Sequence, residues 1–420
     1  MERYSSYKDS GVDWLGEIPE HWEILKLKRI ASMYSGNGFP ISLQGHSSGE
    51  YPVYKAKNIN RGNSVYLESS ENYISSTVLI AHNFTLVPAN SILFPKIGEA
   101  MRKNGRRISS SPCCLDNNCG ALHIFNPNVI AHYFYYFMTT VDMSYMDNGG
   151  PIPSVNSKLL LSMLVSVPPL EEQRAIAAYL DDQCGKLDSA VEKLERAIEL
   201  LQERKQIIIS QAVTKGLDPN VPLKDSGVDW LGEIPEHWEV YRFKNFLTLK
   251  TKPSLESFKV GLENIESKTG RLVLSDSIFD GDGVAFCKGD ILYGKLRPYL
   301  QKVWLADRAG NAVGDFFVYK VNNESFGKFV FYLILSSKFT EVCSAATYGA
   351  KMPRVSSQFI GSLTYFLPPL EEQCAIAAYL DDQCGKIDAL IEKRQRMIEL
   401  LKERKQIIIS DAVTGKIKVA

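Results

Sequence analysis

Three cysteines and one histidine lie close together in the first half of the chain and could in principle hold a zinc ion. They are Cys113, Cys114, Cys119 and His123. Structural zinc sites usually combine ligand pairs of characteristic spacing, and this group does not follow that pattern. The sequence therefore predicts no metal site here.

Motifs for catalysis are also missing from the sequence. An adenine methyltransferase would need an Asn/Asp-Pro-Pro-aromatic pocket, and both double prolines of the chain lack those flanking residues. There is no phosphate-binding GxxxxGK[ST] loop. Two Glu-x-Lys pairs that a nuclease could use fall inside helical segments, where they are better explained as surface and seam residues: Glu203 with Lys205, and Glu403 with Lys405. We expect no catalytic residue and no bound cofactor on this chain.

The densest basic cluster offers a different chemistry. The segment PKIGEAMRKNGRR contains Lys96, Arg102, Lys103, Arg106 and Arg107, with glycines that indicate a loop. Lysine and arginine bind DNA phosphates and donate hydrogen bonds to guanine O6 and N7 in the major groove. A solvated surface loop is the alternative, and we favour DNA contact.

A second basic group lies in the other half of the chain. Lys295 and Arg297 stand between Tyr293 and Tyr299, aromatic residues that could equally belong to the core. Further on, YGAKMPRVSSQ aligns with GGPIPSVNSK of the first half at Pro353 and Pro153. It supplies two further candidates for phosphate contact, Lys351 and Arg354. The aligned positions in the first half are Pro151 and Ser154.

Two segments of the chain occur twice and frame these variable regions. KDSGVDWLGEIPEHWE is identical at Lys8–Glu23 and Lys224–Glu239, and Pro169–Thr214 recurs at Pro369–Thr414 with 36 of 46 positions identical. The regions between them, 24–168 and 240–368, differ in length and share only scattered patterns. The chain is therefore a duplicated half-molecule, and we interpret the repeated tryptophans as anchors of each variable region to the frame.

The net charge of zero conceals an uneven distribution. Region 24–168 has 12 Lys/Arg against 7 Asp/Glu, region 240–368 has 17 against 11, and the remaining residues have 19 against 30. Basic variable regions suit the phosphate backbone of a nucleic acid, although chance variation in charge is an alternative.

The longer repeat is predicted to be a helix with an apolar heptad seam. Glutamates in its first turn suit the helix dipole, and apolar residues recur every three or four positions. Each helix could pack on its own variable domain, but spacing sustained over four heptads favours two helices paired antiparallel, as a rod of about 50 Å. Lys205 and Lys405 interrupt the seam. The predicted seam consists of Leu180, Leu187, Val191, Leu194, Ile198, Leu201, Ile208, Leu380, Ile387, Ile391, Ile398, Leu401 and Ile408.

With these motifs in order and in duplicate, the chain resembles the specificity subunits of type I restriction–modification systems. The resemblance rests on WLGEIPEHW before each variable region, on PPLEEQ…IAAYLD…KQ-III after it, and on GLENIES and ILYGKLRPYL in the second region, with looser counterparts KAKNIN and ILFPKIG in the first. It implies a mixed α/β fold in which an antiparallel two-helix coiled coil separates two target-recognition domains.

The same resemblance implies a non-catalytic subunit that reads an asymmetric bipartite target in double-stranded DNA, one half per domain. Its partners are two modification subunits and the restriction subunits, which would carry S-adenosylmethionine, ATP and magnesium. The repeated helices are implied as the docking surface for the modification subunits. A structural adaptor whose coiled coil links two protein-binding domains is the alternative from another class.

The resulting division of the chain is as follows: 1–168, first recognition domain; 169–214, first helix; 215–223, linker; 224–368, second recognition domain; and 369–420, second helix and tail. No run of about 18 apolar residues predicts a membrane span, and the N-terminal segment carries no export signature. The eight cysteines show no disulfide framework. We therefore expect a cytoplasmic protein with reduced thiols.

Overall fold

The computed structural model describes residues 2–62, 64–253, 256–274, 281, 283–322 and 325–419. The chain forms two compact units. Unit 1 comprises Met1–Leu194 and Arg396–Ala420, and unit 2 comprises Glu195–Gln395. Both divisions fall inside the long repeat, whereas the predicted domains end before it. Each unit therefore contains one variable region, the first part of the repeat that follows it and the last part of the other repeat.

Unit 1 is a mixed α/β structure. Its strands are β1 (Tyr7–Asp9), β2 (Glu17–Pro19), β3 (Glu23–Lys26), β4 (Ala31–Ser35), β5 (Tyr51–Tyr54), β6 (Tyr66–Leu67), β7 (Tyr73–Ile74), β8 (Ser91–Pro95), β9 (Arg107–Ser109), β10 (Cys114–Leu115), β11 (Cys119–Ile124) and β12 (Leu164–Val167). Its helices are α1 (Ala56–Asn60), α2 (Ser76–Ala81), α3 (Gly98–Arg102), α4 (Ala131–Thr139), α5 (Ser157–Ser162) and the first part of α6 (Leu170–Lys215).

The main sheet of unit 1 has the strand order β4-β11-β8-β9-β6. Strand β8, SILFP, is buried along its whole length because both faces of the sheet are covered. Helix α4 is apolar on all sides, and its residues Tyr133–Met138 are buried, as expected for a helix inside a core. A second sheet of order β10-β5-β7 completes the variable region.

Unit 2 repeats this plan with other residues. Its strands are β13 (Leu223–Asp225), β14 (Glu233–Pro235), β15 (Glu239–Arg242), β16 (Leu247–Lys250), β17 (Lys259–Val260), β18 (Val284–Phe286), β19 (Ile291–Gly294), β20 (Val303–Leu305), β21 (Gly310–Ala312), β22 (Phe316–Val321) and β23 (Thr364–Leu367). Its helices are the last part of α6, α7 (Phe243–Phe246), α8 (Gly327–Leu335), α9 (Ser337–Ala345), α10 (Ser357–Ser362) and the first part of α11 (Leu370–Val413).

The two units share their topology. The hairpin β1–β2 corresponds to β13–β14, and the pair β3–β12 corresponds to β15–β23. The antiparallel order β4-β11-β8 reappears as β16-β22-β19. The predicted mixed α/β fold with duplicated halves is confirmed.

A tryptophan–glutamate contact joins the short repeat to the long helix in each unit. Trp22 is fully buried and its Nε1 donates to Glu172 at 3.0 Å, while His21 Nε2 lies 2.6 Å from the same carboxylate. In unit 2, Trp238 Nε1 donates to Glu372 at 3.2 Å. These contacts join two parts of the repeated frame. Trp22 and Trp238 also lie in apolar cores that contain residues of the variable regions, where the anchoring role was predicted.

Within each unit, segments of α6 and α11 pack against each other in opposite directions. In unit 1, Lys405 of α11 pairs with Asp188 of α6. Further along α11, the Val413 carbonyl accepts a hydrogen bond at 3.4 Å from Ser166 of β12, the strand that leads into α6. Because residue numbers rise along one segment and fall along the other, the segments are antiparallel. Unit 2 has the same arrangement with Lys205 and Asp388.

The seam lysines are therefore paired. Lys205 Nζ lies 2.8 Å from Asp388, and its side chain is only 6% exposed. Lys405 Nζ lies 2.7 Å from Asp188, with the lysine side chain 24% exposed. Both lysines lie in the seam, as predicted from the sequence. Their carboxylate partners were not predicted and lie in the other copy of the repeat.

None of the predicted seam residues is exposed. Six are buried, namely Leu180, Val191, Leu380, Ile387, Ile398 and Ile408, and the other seven are half-buried. Leu180 also shares a core with α4 and with Ile408 of α11. The two interpretations that the sequence left open are thus combined, because each helix end packs on its variable domain and on the other helix.

Candidate nucleic-acid interface

In unit 2, the four predicted basic residues meet where the loop 348–354 contacts the end of β19. The backbone N–H of Arg297 donates to the Pro353 carbonyl at 2.7 Å, and Val355 N–H donates to the Lys295 carbonyl at 3.2 Å. These backbone bonds hold the two chain segments side by side. The structure therefore brings together residues that lie more than 50 positions apart in the sequence.

An aspartate organises the cations of this junction. Asp315, immediately before β22, lies 3.1 Å from Arg354 Nη2 and 3.6 Å from Lys295 Nζ. Lys295 Nζ also lies 5.6 Å from the centre of the Phe317 ring. Because the three charged side chains are only partly buried, the attraction orients them more than it stabilises the unit.

Two further cations of the junction point to an accessible surface. Arg297 is exposed and has φ of +50°, a backbone conformation that residues other than glycine seldom adopt. Lys351 is exposed on the adjoining loop. Of the aromatic residues, Tyr299 is 51% and Tyr348 61% exposed, whereas Tyr293 is buried in the core. The core alternative is thus correct for Tyr293 and wrong for Tyr299.

Unit 1 has the same junction with a smaller charge. Gly98 N–H donates to the Pro153 carbonyl at 2.7 Å, and Val155 N–H donates to the Lys96 carbonyl at 2.9 Å. Lys96 is half-buried, and this burial lowers the pKa of its ammonium group. Arg102 and Lys103 are exposed at the end of α3, where Arg102 lies 2.8 Å from Glu99.

The other two cations of the predicted cluster are buried, so the prediction of a DNA contact needs correction for them. Arg106 is 2% exposed and donates to the carbonyls of Gly105 at 2.8 Å and Val141 at 3.3 Å. Burial lowers the pKa of its guanidinium to about 10. Arg107 is 7% exposed and donates to the Arg61 carbonyl at 3.0 Å. Both guanidinium groups satisfy backbone carbonyls of neighbouring loops, so they hold the loop in place from inside.

Two functional candidates were not predicted from the sequence: Asp315 and Asn118. They occupy equivalent positions in the two units, as the backbone hydrogen bonds show. Lys295 N–H donates to the Asp315 carbonyl at 2.9 Å, and Lys96 N–H donates to the Asn118 carbonyl at 2.8 Å. The variable regions align too weakly to show this correspondence. The strand register reveals it.

The cysteines of unit 1 are structural. Cys113, Cys114 and Cys119 are buried, and burial raises the pKa of the Cys113 thiol to about 12. Among the residues that the structure describes, no group of three or more His, Cys, Asp or Glu side chains is arranged to hold a metal ion. Nor does any helix in the described ranges combine the length and the apolar character that a bilayer crossing needs.

Several known proteins are similar to this chain in sequence and in fold. Residues 19–200 match the family model of the type I restriction modification DNA specificity domain. The MjaVIII type I restriction enzyme specificity subunit of Methanocaldococcus jannaschii is 25% identical, over 96% of this chain and 94% of that protein. The EcoDI specificity subunit of Escherichia coli is 22% identical, over 96% of this chain and 90% of that protein.

A solved structure agrees with the fold of the whole chain. It is a chain from work on complex assembly and conformational transition of the type I R-M system, with a TM-score of 0.65 and 14% identity. It matches over 95% of this chain and 99% of its own length.

In residues 19–200, the chain is thus similar to the DNA specificity domain of type I restriction modification systems. Over most of its length, the chain is similar to type I restriction enzyme specificity subunits.

Proposed function

We propose that this chain reads a bipartite sequence in double-stranded DNA as the non-catalytic specificity subunit of a type I restriction–modification complex. One observation carries the proposal: two units with the same backbone plan present different polar side chains at the same junction. Two units with the same backbone arrangement but different surface side chains suit a protein that reads two different short sequences.

The repeated helices then set the distance between the two half-sites. They also present a surface for partners. Four apolar residues on the two repeats occupy equivalent positions and are more than half exposed, at 51% to 64%: Leu200, Ile207, Leu400 and Ile407. An exposed apolar stripe that occurs twice fits a partner that binds twice, such as two modification subunits.

In this assembly, the partner subunits supply the chemistry. The modification subunits bind S-adenosylmethionine and methylate adenine, and the restriction subunits use ATP and magnesium. The chain itself contributes DNA recognition and positioning, and the complex acts in the cytoplasm.

Binding of duplex DNA by the reconstituted complex tests the proposal. Because phosphate contacts release counterions, the logarithm of the binding constant should fall linearly with the logarithm of salt, by about 0.9 for each phosphate neutralised. Sequencing of methylated adenines in cells that express the complex should yield one motif with two specified halves and an unread spacer. A complex that binds proteins but shows no binding to duplex DNA would support the alternative of a structural adaptor.

A further inference from the structure

The junction occurs in both units with the same backbone and different side chains. Three backbone hydrogen bonds repeat: from the strand-end lysine to Asn118 or Asp315, from Gly98 or Arg297 to the loop proline, and from the loop valine back to the lysine. An isolated bridge joins Ile97 to Ser154 in unit 1, and Leu296 to Arg354 in unit 2. These contacts define four equivalent positions, the junction quartet: Lys96, Gly98, Asn118 and Ser154 in unit 1; Lys295, Arg297, Asp315 and Arg354 in unit 2.

The backbone conformation is also shared. Gly98 has φ of +67° and Arg297 has φ of +50°. A glycine adopts this conformation readily, and an arginine does so only when the surroundings impose it. Unit 2 thus places an exposed arginine where a glycine would fit more easily, and a residue kept against its local preference points to a role outside the fold.

The chemistry of the quartet differs between the units. In unit 2, Asp315 lies beside Arg354 and Lys295 and keeps their donors in place. Arginine donates two hydrogen bonds to guanine N7 and O6. In unit 1, the quartet has no arginine, and the asparagine at the Asp315 position is the residue type that pairs with adenine N6 and N7.

From this correspondence, and on the basis of the proposed function, we infer that the junction quartet determines part of each half-site. Arg297 and Arg354 read guanine in the half-site of unit 2, with Asp315 as a positioning residue. Asn118 reads adenine in the half-site of unit 1. Lys351, exposed on the same loop, contacts phosphate and carries no sequence information.

The decisive variant is Arg297→Gly, which introduces the residue type that unit 1 has at the equivalent position, Gly98. It removes the guanidinium and introduces a residue that adopts this φ readily, so we expect the fold of unit 2 to be kept. Methylated adenines are mapped in cells expressing the complete complex with this variant. We expect the preference for guanine at one position of one half-site to fall by about 10- to 100-fold. The other half-site and the spacer should stay unchanged.

Two controls complete the experiment. Lys351→Ala should lower methylation equally at all target sites and leave the motif intact, as expected for a phosphate contact. Gly98→Arg places an arginine at the same position of unit 1, where an added Cβ meets no atom within 4 Å but the φ of +67° strains the backbone of an arginine, as it does at Arg297. It should introduce a guanine preference in the other half-site.

The outcomes separate this inference from the proposed function. If Arg297→Gly behaves like Lys351→Ala, with uniform loss and an unchanged motif, the quartet does not read bases and the inference is wrong. The same conclusion follows if the motif and the level of methylation both stay as they are. If the unaltered complex methylates without any two-part motif, the proposed function itself fails.

Discussion

Arg106 and Arg102 belong to one basic segment but have opposite environments. The Arg106 guanidinium lies 5.8 Å from the centre of the Phe94 ring and bonds to Asn104 Oδ1 at 2.8 Å. Arg102 extends from the end of α3 into solvent. The same residue type therefore stabilises the unit at one position and is available to a ligand at the other.

We predict that Arg106→Ala destabilises unit 1 by about 3 kcal/mol, because it leaves backbone carbonyls without donors and opens a cavity. Arg106→Lys should recover little of this, since an ammonium group cannot donate in the geometry of a guanidinium. Chemical denaturation of the purified chain measures both effects.

Arg102→Ala is the matched control. It should change stability by less than about 0.5 kcal/mol and reduce the salt dependence of DNA binding by about one phosphate contact. An Arg106→Ala chain of normal stability with weakened DNA binding would contradict the structural role assigned to the buried side chain.

At this scale, the structure divides a cluster that the sequence presents as uniform. The cluster around Arg102 and Lys103 is an exposed surface, as its composition indicated. The burial of Arg106 and Arg107 could not be read from the sequence, because a charged residue is buried only when distant loops supply acceptors. Those acceptors, at Arg61, Gly62 and Val141, belong to other elements of the unit.

Among the elements, α6 and α11 contain near-identical ion pairs with different exposure. Asp388→Ala removes the carboxylate that pairs with Lys205, whose side chain is 6% exposed. Asp188→Ala removes the carboxylate that pairs with Lys405, whose side chain is 24% exposed. An unpaired charge costs more free energy the less water reaches it.

We therefore predict that Asp388→Ala destabilises the chain by about 3 kcal/mol and Asp188→Ala by about 1 kcal/mol. Urea denaturation of the two single variants provides the comparison. Asp388 also lies 3.2 Å from Arg271, so Arg271→Ala should be made in parallel to measure that contribution separately. Equal losses from the two aspartate variants would show that burial does not control the strength of these pairs.

The exposed stripe on each repeat leads to a prediction about assembly. The double change Leu200→Glu with Ile207→Glu should leave stability almost unaffected and abolish docking of one modification subunit, because it places charge on a desolvated apolar contact. Leu400→Glu with Ile407→Glu should remove the other. Native mass spectrometry of the complex counts the bound subunits, and loss of neither subunit from a folded variant would exclude this surface.

Helix prediction succeeded here because the heptad spacing and the glutamates near Leu170 and Leu370 agree over a long stretch. The seam residues follow from that periodicity. The partners of the seam lysines could not be predicted, since an aspartate in the first half of one helix meets a lysine in the second half of the other. That pairing depends on the antiparallel fold and not on local sequence.

For the whole molecule, the proposed separation of half-sites can be altered through helix length. Seven residues inserted at equivalent points of both repeats, after Leu194 and after Arg394, preserve the heptad phase and add about 10 Å to each helix. We predict that the unread spacer of the target lengthens by up to about three base pairs. Mapping of methylated adenines gives the spacer directly, and insertion into one repeat alone serves as the control. An unchanged spacer in a folded, active complex would refute a spacing role for the helices.

Trp22 and Trp238 lie in identical segments and donate to equivalent glutamates, Glu172 and Glu372, in the two copies of the long repeat. The frame on which each variable region is mounted is therefore equivalent at this contact. We expect that exchanging 24–168 with 240–368 reverses the order in which the half-sequences occur along the DNA. If each of the two positions can hold any of n variable regions, the number of different bipartite targets grows as n squared, and the partner enzymes remain the same.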